Sequence, residues 1–430
     1  MSKIILGNSD TDLDYPICRP SLDLDFTQEE LDPRITFTRG STATRVNRNR
    51  LIETVAANQP RFDYDPVTGE CKGLLIEESR QNLFTSSNDF SVNWTKQTDR
   101  TGVVGITTNY TTSPDGTTNA TRYFIQNGGG TFYSIYRGVS PISANTSYTY
   151  SVFVKASTAT TFFLVVFDGS IASFVTYNLN TGTIQSTFAN TNLTIGSGST
   201  ITNYGNGWYR CVFVFSHSVG GSAFQFKADI GSTRHNQELF IYGAQLEAGA
   251  FPTSYIPTTT STVTRSADLA SMTGTNFSSW YNSNEGTVFA NINMNGVQTG
   301  RYDRLWAITN SNLNLEGISL YVAGPVSSGG YVSSITITNS ATEQINGTIV
   351  ESANTTPKLR SAFAFKTNDC ASAYNGALRF VDKSAILLSN PDRLLIGQPQ
   401  RFQGTSCMTI SRLTYYPRAL KPNQLQLLTQ

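Results

Sequence analysis

The chain has 430 residues, a formal net charge of +1 and 14% charged residues. Its length is enough for two or three domains. The Lys and Arg residues are scattered, which argues against nucleic acid or a membrane as a partner, because both attract clustered positive charge. The 34 Gly, 20 Tyr and 25 Phe residues favour strands and turns over helices.

No targeting or membrane segment is predicted. Residues 1–3 precede only three apolar residues, 4–6, so we expect no secretory signal peptide. The sequence contains no apolar stretch long enough for a transmembrane helix. The five cysteines are far apart and form no CxxC pair, which indicates neither a zinc site nor a disulfide framework. Free thiols suit folding in a reducing cytoplasm, and no metal or cofactor is predicted.

The first part of the chain, residues 1–84, is polar, dense in charge and rich in turn residues. It offers only short alternating pieces, at residues 35–38 and 73–76, and a helical turn at residues 27–31 that Pro33 ends. No apolar run is long enough for a core of its own. The composition therefore predicts an extended segment of short strands that is ordered by packing against something else.

The second part, residues 85–257, is a series of strand-like pieces joined by Gly, Asn and Ser turns. In the piece at residues 148–155, Tyr148, Tyr150, Val152 and Val154 fall on one face. Residues 177–184 read as a hairpin that turns at residues 180–182. The other predicted strands are 161–167, 174–179, 208–216, 223–230 and 239–246. This pattern is typical of an antiparallel β-sandwich.

Residues 255–262 form a stiff connector, and residues 264–430 contain a second series of strands. A short helix is predicted at residues 422–428. The predicted strands are 286–292, 304–309, 317–322, 332–338, 359–366, 393–396 and 408–415. The predicted fold class is therefore all-β, with an N-terminal extended segment of short strands followed by two antiparallel β-sandwich (jelly-roll) domains.

Several sequence blocks resemble structural proteins of tailed bacteriophages. In residues 22–83 these are LDLDF, DPRITFTRGSTATRV, ANQPRFDYDPVTGE and GLLIEESRQNL. Residues 85–257, with NGWYRCVFVFS and IYGAQLEAGAFPTSYIPT, resemble the carbohydrate-binding-module type of jelly roll found in phage fibre proteins. Residues 264–430, with WYNSNEGTVFANI and ISRLTYYPRALKPNQLQLLT, resemble a concanavalin or laminin-G-like sandwich. The resemblance covers most of the chain.

The sequence provides little for catalysis. The two histidines, His217 and His235, lie in polar settings, and no GxSxG nucleophile elbow occurs. Glu77 and Glu78 are adjacent in a strand and point to opposite faces, so they are not positioned to act together on one glycosidic bond. No repeat of a parallel β-helix appears. We therefore predict that the chain is not an enzyme.

Binding of carbohydrate needs an exposed aromatic ring beside polar side chains that reach the sugar hydroxyls. Two short runs have this composition. The candidate carbohydrate-binding residues are Tyr133, Tyr136 and Arg137 in one run, and Tyr302, Asp303 and Arg304 in the other. The alternative for each aromatic residue is a place in a core.

The first part of the chain also holds arginines that alternate with hydroxyl and apolar residues. Arg34, Arg39, Arg45 and Arg61 are candidates for attachment or interface contacts. Nearby carboxylates neutralise this region, so ion pairs across a subunit or domain interface fit better than nucleic acid.

The resemblance implies a non-enzymatic structural component of a tailed phage virion, assembled in the cytoplasm of the host bacterium. Tail fibre or tail appendage is the first expectation, with host surface glycans and other virion proteins of the tail, baseplate or capsid as partners. Phage fibres are commonly homo-oligomers, and a trimer is favoured. The alternatives are a capsid decoration or head-fibre protein and, as a second class, a polysaccharide depolymerase.

Overall fold

The computed structural model describes residues 18–98, 102–126, 133–139, 141–221, 224–230, 236–297, 302–311, 317–323, 331–339, 342–351, 358–388, 390–397 and 406–430. Their regular secondary structure consists almost entirely of antiparallel strands, which confirms the predicted all-β class. No helix in this described part of the chain has the length and apolar content that crossing a bilayer requires.

The first part of the chain contributes seven short strands within the described residues. They are β1 (Leu22–Asp25), β2 (Thr36–Thr38), β3 (Ala43–Val46), β4 (Ile52–Val55), β5 (Phe62–Tyr64), β6 (Cys71–Ile76) and β7 (Arg80–Asn82). A 3-10 turn at Phe26–Gln28 stands where a helical turn was expected. It is capped by the Asp25 side chain and ends at Glu29, whose φ is 61°.

The middle of the chain forms the first sandwich. Its strands are β8 (Thr95–Thr98), β9 (Val103–Thr111), β10 (Ala120–Gln126), β11 (Tyr133–Gly138), β12 (Ser147–Ala156), β13 (Thr161–Phe167), β14 (Ala172–Asn178), β15 (Thr183–Phe188), β16 (Leu193–Ile195), β17 (Thr200–Asn203), β18 (Trp208–His217), β19 (Gln225–Asp229) and β20 (Glu238–Ala248). A six-stranded sheet has the order β15-β14-β13-β19-β11-β8. A seven-stranded sheet has the order β16-β18-β12-β20-β10-β9, with β17 also paired to β18.

The inner faces of these two sheets enclose one apolar core. Tyr148, Tyr150, Val152 and Val154 all point into it, as their alternation predicts. Phe153 on the opposite side of β12 is also buried, because the first part of the chain and the connector cover that side of the sheet. The predicted hairpin turn is present, and the Gly182 amide donates to the Asn178 carbonyl at 2.9 Å.

The last part of the chain forms the second sandwich. The strands of this part of the chain are β21 (Val263–Arg265), which pairs with β7 outside the sandwich, and the sandwich strands β22 (Leu269–Thr273), β23 (Glu285–Gly296), β24 (Tyr302–Thr309), β25 (Gly317–Ala323), β26 (Tyr331–Asn339), β27 (Thr342–Glu351), β28 (Lys358–Lys366), β29 (Cys370–Tyr374), β30 (Ala377–Asp382), β31 (Arg393–Ile396) and β32 (Cys407–Tyr416). Helix α1 spans Thr275–Ser278, and α2 spans Pro422–Leu428, where the terminal helix was predicted.

The first part of the chain completes the sheets of this second sandwich. One sheet has the order β30-β29-β28-β23-β32-β6-β5 with β1 also on β32, and the other has the order β2-β22-β31-β24-β25-β26-β27. Phe26, Phe37, Leu74 and Ile76 lie in the same core as Trp306. The segment that lacks a core of its own therefore packs against the C-terminal part of the same chain. The predicted domain boundaries stay predictions.

Candidate functional site

Aromatic side chains cover the outer surface of the six-stranded sheet. Along β13, Phe162, Leu164 and Val166 are fully buried in the core. Phe163 and Phe167 point to the other side, because alternate residues of a strand face opposite sides of the sheet, and they are half-buried. The aromatic face, as we call this surface, is formed by Tyr136, Phe163, Phe167, Phe174 and Phe188.

The strand register places one row of side chains across five neighbouring strands. Phe188 on β15 lies opposite Phe174 on β14, and Phe174 lies opposite Val165 on β13. Val165 lies opposite Lys227 on β19, and Lys227 lies opposite Tyr136 on β11. Directly opposite side chains on one face have Cβ atoms about 4.5–5.5 Å apart, so each member of the row contacts the next.

Three phenylalanine rings of the face, those of Phe163, Phe174 and Phe188, form a chain of ring contacts. The ring centroids of Phe174 and Phe188 are 5.6 Å apart with an interplanar angle of 26°. Phe163 meets Phe174 edge-on at 6.1 Å. Phe188 is 47% exposed, although most phenylalanines of this sandwich are in the core. The rings thus form a continuous apolar surface that is open to solvent.

Charged and amide groups lie among these rings. The Lys227 amino nitrogen is 4.7 Å from the Phe167 ring centroid and 5.9 Å from that of Tyr136, and it donates to Gln97 Oε1 at 2.9 Å. Burial lowers the pKa of Lys227, and the charge of Asp229 opposes this effect. Asp229 is two residues from Lys227 on the same face. Donors and acceptors therefore border the apolar surface.

A sugar ring presents an apolar C–H face and a rim of hydroxyl groups. Flat, half-exposed aromatic rings match the C–H face, and an ammonium, a carboxylate and an amide match the hydroxyl groups. The aromatic face thus has the groups that suit non-covalent binding of a saccharide.

The structure places the residues of the first predicted carbohydrate-binding group in different environments. Tyr136 is half-buried and lies on the aromatic face, and its role as a sugar contact stays a prediction. Tyr133 is fully buried in the core, where its carbonyl accepts from the Tyr123 hydroxyl at 2.5 Å, so its prediction as a sugar contact is wrong. Arg137 turns away from the face and donates to the Asn93 carbonyl at 3.0 Å and to Thr85 Oγ1.

The second predicted group lies at the start of β24. Tyr302 is 51% exposed, and its ring meets Tyr321 edge-on at 5.2 Å. Arg304 donates to Ser319 Oγ at 2.8 Å. Asp303 is fully buried, so its prediction as a sugar contact is wrong, because alternation along the strand turns it away from its two neighbours. Among the described residues of this edge, Tyr302 is the one exposed ring, and they form no row like that of the six-stranded sheet.

Sequence reasoning missed the phenylalanines and Lys227 of the aromatic face. Residues 161–167, TFFLVVF, already indicated outward-facing phenylalanines, because aromatic residues occur at both even-numbered and odd-numbered positions of this strand. A strand with one buried face must turn half of them outward. Their grouping with Phe188 and Lys227 depends on strand pairing that composition does not reveal.

The surroundings of His217 indicate a structural role. Its ring is buried and lies 3.4 Å (Nε2) from Asp168 Oδ2, while Nδ1 accepts from the Gly220 amide at 3.0 Å. An accepting Nδ1 leaves the proton on Nε2, which faces the carboxylate. Asp168 also receives the amides of Ser170 and Ile171, so this pair holds a loop to β18. His235 lies outside the described residues.

No cluster of three or more His, Cys, Asp or Glu side chains is placed to hold a metal ion within the described residues.

The four predicted interface arginines form ion pairs within the chain. Arg34 pairs with Asp32 at 2.6 Å, and Arg45 pairs with Glu53 at 2.6 Å, each on a partly exposed surface. Arg39 and Arg61 are fully buried and pair with Asp268, so they are not exposed for attachment and instead form ion pairs between separate parts of the chain, which was the arrangement favoured for these arginines.

The buried pairs form a network between the first part of the chain and the residues that follow the connector. Asp268 accepts from Arg39 Nη1 at 3.0 Å, from Arg61 Nη2 and from the Glu77 amide at 2.9 Å. Glu77 accepts from Arg265 Nη1 at 2.7 Å and lies 2.8 Å from Arg61 Nη1. This junction network joins β5 and β6 to residues 265–268. Arginine suits it, because its planar fork matches two carboxylates at once.

The network makes stability depend on pH. Burial alone would raise the pKa of Glu77, but Arg265 and Arg61 lower it to about 2. The unfolded value lies near 4.5, so the contribution is complete above pH 4.5 and is lost as pH falls towards 2. We expect the free energy of unfolding to fall by about 3 kcal/mol over this range from Glu77 alone. Denaturant titrations at a series of pH values measure how steeply the free energy of unfolding changes with pH. This dependence should be shallower in Glu77→Gln than in the wild type. An equal dependence in both proteins would contradict the assignment to Glu77.

Comparison with known proteins identifies no family. No family model matches the chain, and no curated protein matches it. Among solved structures, the Ruminococcus gnavus IT-sialidase CBM40 is similar with a TM-score of 0.26 and 15% sequence identity, covering 36% of this chain and 88% of that chain.

Proposed function

We propose that this chain is a non-enzymatic glycan-binding protein and that the aromatic face is its binding surface. The supporting observation is the row Phe188, Phe174, Val165, Lys227 and Tyr136, which crosses five strands on the side of the sheet that faces away from the core formed by the described residues. Phenylalanine side chains that face solvent are energetically unfavourable, because their apolar surface is in contact with water. A saccharide stacked on the rings would remove this apolar area from water while its hydroxyl groups keep polar partners.

A glycan array probed with the full chain tests the proposal. We expect the wild type to bind a defined group of glycans and Phe174→Ala to weaken that binding by about tenfold or more, because the Phe174 ring contacts those of both Phe163 and Phe188. Tyr110→Ala is the matched control. Tyr110 is 48% exposed and stacks on Phe240 at 5.9 Å on the seven-stranded sheet, so its loss should leave binding unchanged. Equal effects of the two substitutions would refute the assignment of the face.

The competing class is a glycan depolymerase. A glycosidase needs two carboxyl groups about 5–10 Å apart beside one bond. Glu77, one of the sequence candidates, is bound to Arg61 and Arg265 in the junction network, and Glu78 is bound to Arg80 at 2.6 Å. We expect host polysaccharide to keep its chain length after incubation with the protein. Shortened chains would favour the depolymerase.

We also propose that the protein is a structural component of a tailed-phage particle, as a tail fibre or tail appendage, with a capsid decoration or head fibre as the second candidate. The support is the resemblance of residues 22–83 to the opening segments of such proteins. Other virion proteins would be its partners, and a homotrimer is the expected assembly. Gold-labelled antibody on intact particles tests this: label on the tail supports the first location, label on the head supports the second, and unlabelled particles oppose both.

A further inference from the structure

A cavity of about 390 Å³ lies where the parts of the chain meet. We call it the junction cavity. Its wall includes Arg45 and Asp63 from the first part, Arg210 from the first sandwich, Thr253 from the chain after β20 and Asn295 from the second sandwich. It lies on the outer side of the seven-stranded sheet, away from the aromatic face. Its volume is within the range of about 300–1,000 Å³ that is usual for small-molecule sites.

Arg210 is the cation of this cavity that lacks a counter-charge among the described residues. Arg210 is 5% exposed. Nη1 donates to the Thr253 carbonyl at 2.7 Å and Nη2 donates to Ser151 Oγ at 3.1 Å, so both partners are neutral. Nε is buried without a hydrogen-bond partner in the described part of the chain. A buried guanidinium with an unused N–H is costly unless an anion completes its environment.

The carboxylates that line the cavity already have partners. Asp63 lies 2.5 Å from Lys72 Nζ, and Glu77 belongs to the junction network. Asp65 accepts the amides of Val67 and Thr68, each at 2.8 Å. None of these side chains is paired with Arg210. The described residues thus leave the charge of Arg210 without a carboxylate partner.

The rest of the wall favours a polyhydroxylated body attached to that anion. Thr202 is exposed at the wall, and Asn295 and Tyr204 are half-buried there. The Tyr204 ring meets Phe153 edge-on at 4.9 Å, and Arg210 lies 5.3 Å from the Phe153 ring centroid. A hydroxyl, a phenol and an amide can exchange hydrogen bonds with sugar hydroxyl groups. We propose that the junction cavity binds an acidic monosaccharide whose carboxylate balances the charge of Arg210.

Calorimetric titration of the full chain with D-glucuronate tests this site. We expect saturable binding, with glucose and acetate each at least about tenfold weaker, because each lacks one of the two recognised parts. Arg210→Gln should weaken glucuronate binding by about tenfold or more. Thr202→Trp, which fills the entrance from an exposed position and spares the buried groups, should weaken it as well. This second variant keeps the test decisive if Arg210→Gln does not fold.

Phe174→Ala separates this proposal from the proposed function, because it alters the aromatic face alone and should leave glucuronate binding unchanged. Absence of saturable binding by the wild type would overturn the proposal. Equal affinity for acetate or glucose, or full binding by Thr202→Trp, would overturn it too. Loss of glucuronate binding in Phe174→Ala would place the sugar on the aromatic face instead.

Discussion

Replacing Asp268 by alanine is expected to lower the free energy of unfolding by about 3–5 kcal/mol, since it breaks a buried ion-pair network from one side. Asp268 is fully buried and accepts from Arg39, Arg61 and the Glu77 amide. Its removal leaves two buried guanidinium groups short of negative charge, and alanine provides no acceptor for the amide. Urea unfolding followed by tryptophan fluorescence gives the free-energy difference.

Asp369→Ala is the control for this substitution. Asp369 pairs with Lys383, but the two side chains are 56% and 65% exposed. Exposed pairs contribute about 0–1 kcal/mol, because water screens the charges and both side chains lose freedom. If Asp268→Ala were as stable as Asp369→Ala, the network would not be what holds the parts of the chain together.

Deleting residues 1–84 is expected to prevent folding of the second sandwich. The deletion removes the strands that pair with β22 and β32, and with them eight apolar side chains of its core. These are Leu22, Leu24, Phe26, Ile35, Phe37, Phe62, Leu74 and Ile76. Each contributes about 1.5–3 kcal/mol when buried. Their sum is comparable to the whole stability of a domain, about 5–15 kcal/mol.

The first sandwich should survive this deletion, because nearly all of its core lies between Phe90 and Leu246. Hydrogen exchange read by mass spectrometry should show protection in residues 120–248 and rapid exchange in residues 285–416. Residues 1–84 alone should be disordered, since ordering the backbone costs about 1–2 kcal/mol per residue. Slow exchange of residues 285–416 in the truncated chain, or a cooperative melt of the isolated segment, would show that the two fold separately.

Local pattern was enough to predict most of the strands. Residues 148–155 alternate between large apolar and small residues, and the turn at residues 180–182 carries a glycine, so strand and hairpin follow from nearby sequence. The pairing of β1 and β6 with β32 was beyond such reasoning, because the paired residues lie more than 300 positions apart. The sequence showed that the first segment needed a partner, and it did not show that the partner was the end of the same chain.

The candidate site was only partly predictable for a related reason. Tyr133 and Tyr136 have the same side chain and lie in one strand, yet an odd spacing puts one ring in the core and the other on the aromatic face. Which alternate residues of β11 face the core depends on its pairing in the sheet with β19, whose residues are about 90 positions away. The partner of Arg39 and Arg61 could not be named for the same reason, because Asp268 is 229 and 207 positions away from them.

A crystal structure of the full chain with a neutral oligosaccharide that the array identifies tests the aromatic face most directly. We expect a sugar ring stacked on Phe174 or Phe188, with a hydroxyl group within hydrogen-bond distance of Lys227 or Asp229. A saccharide bound at Tyr110 and Phe240, or at Tyr302, with the aromatic face bare, would contradict this expectation.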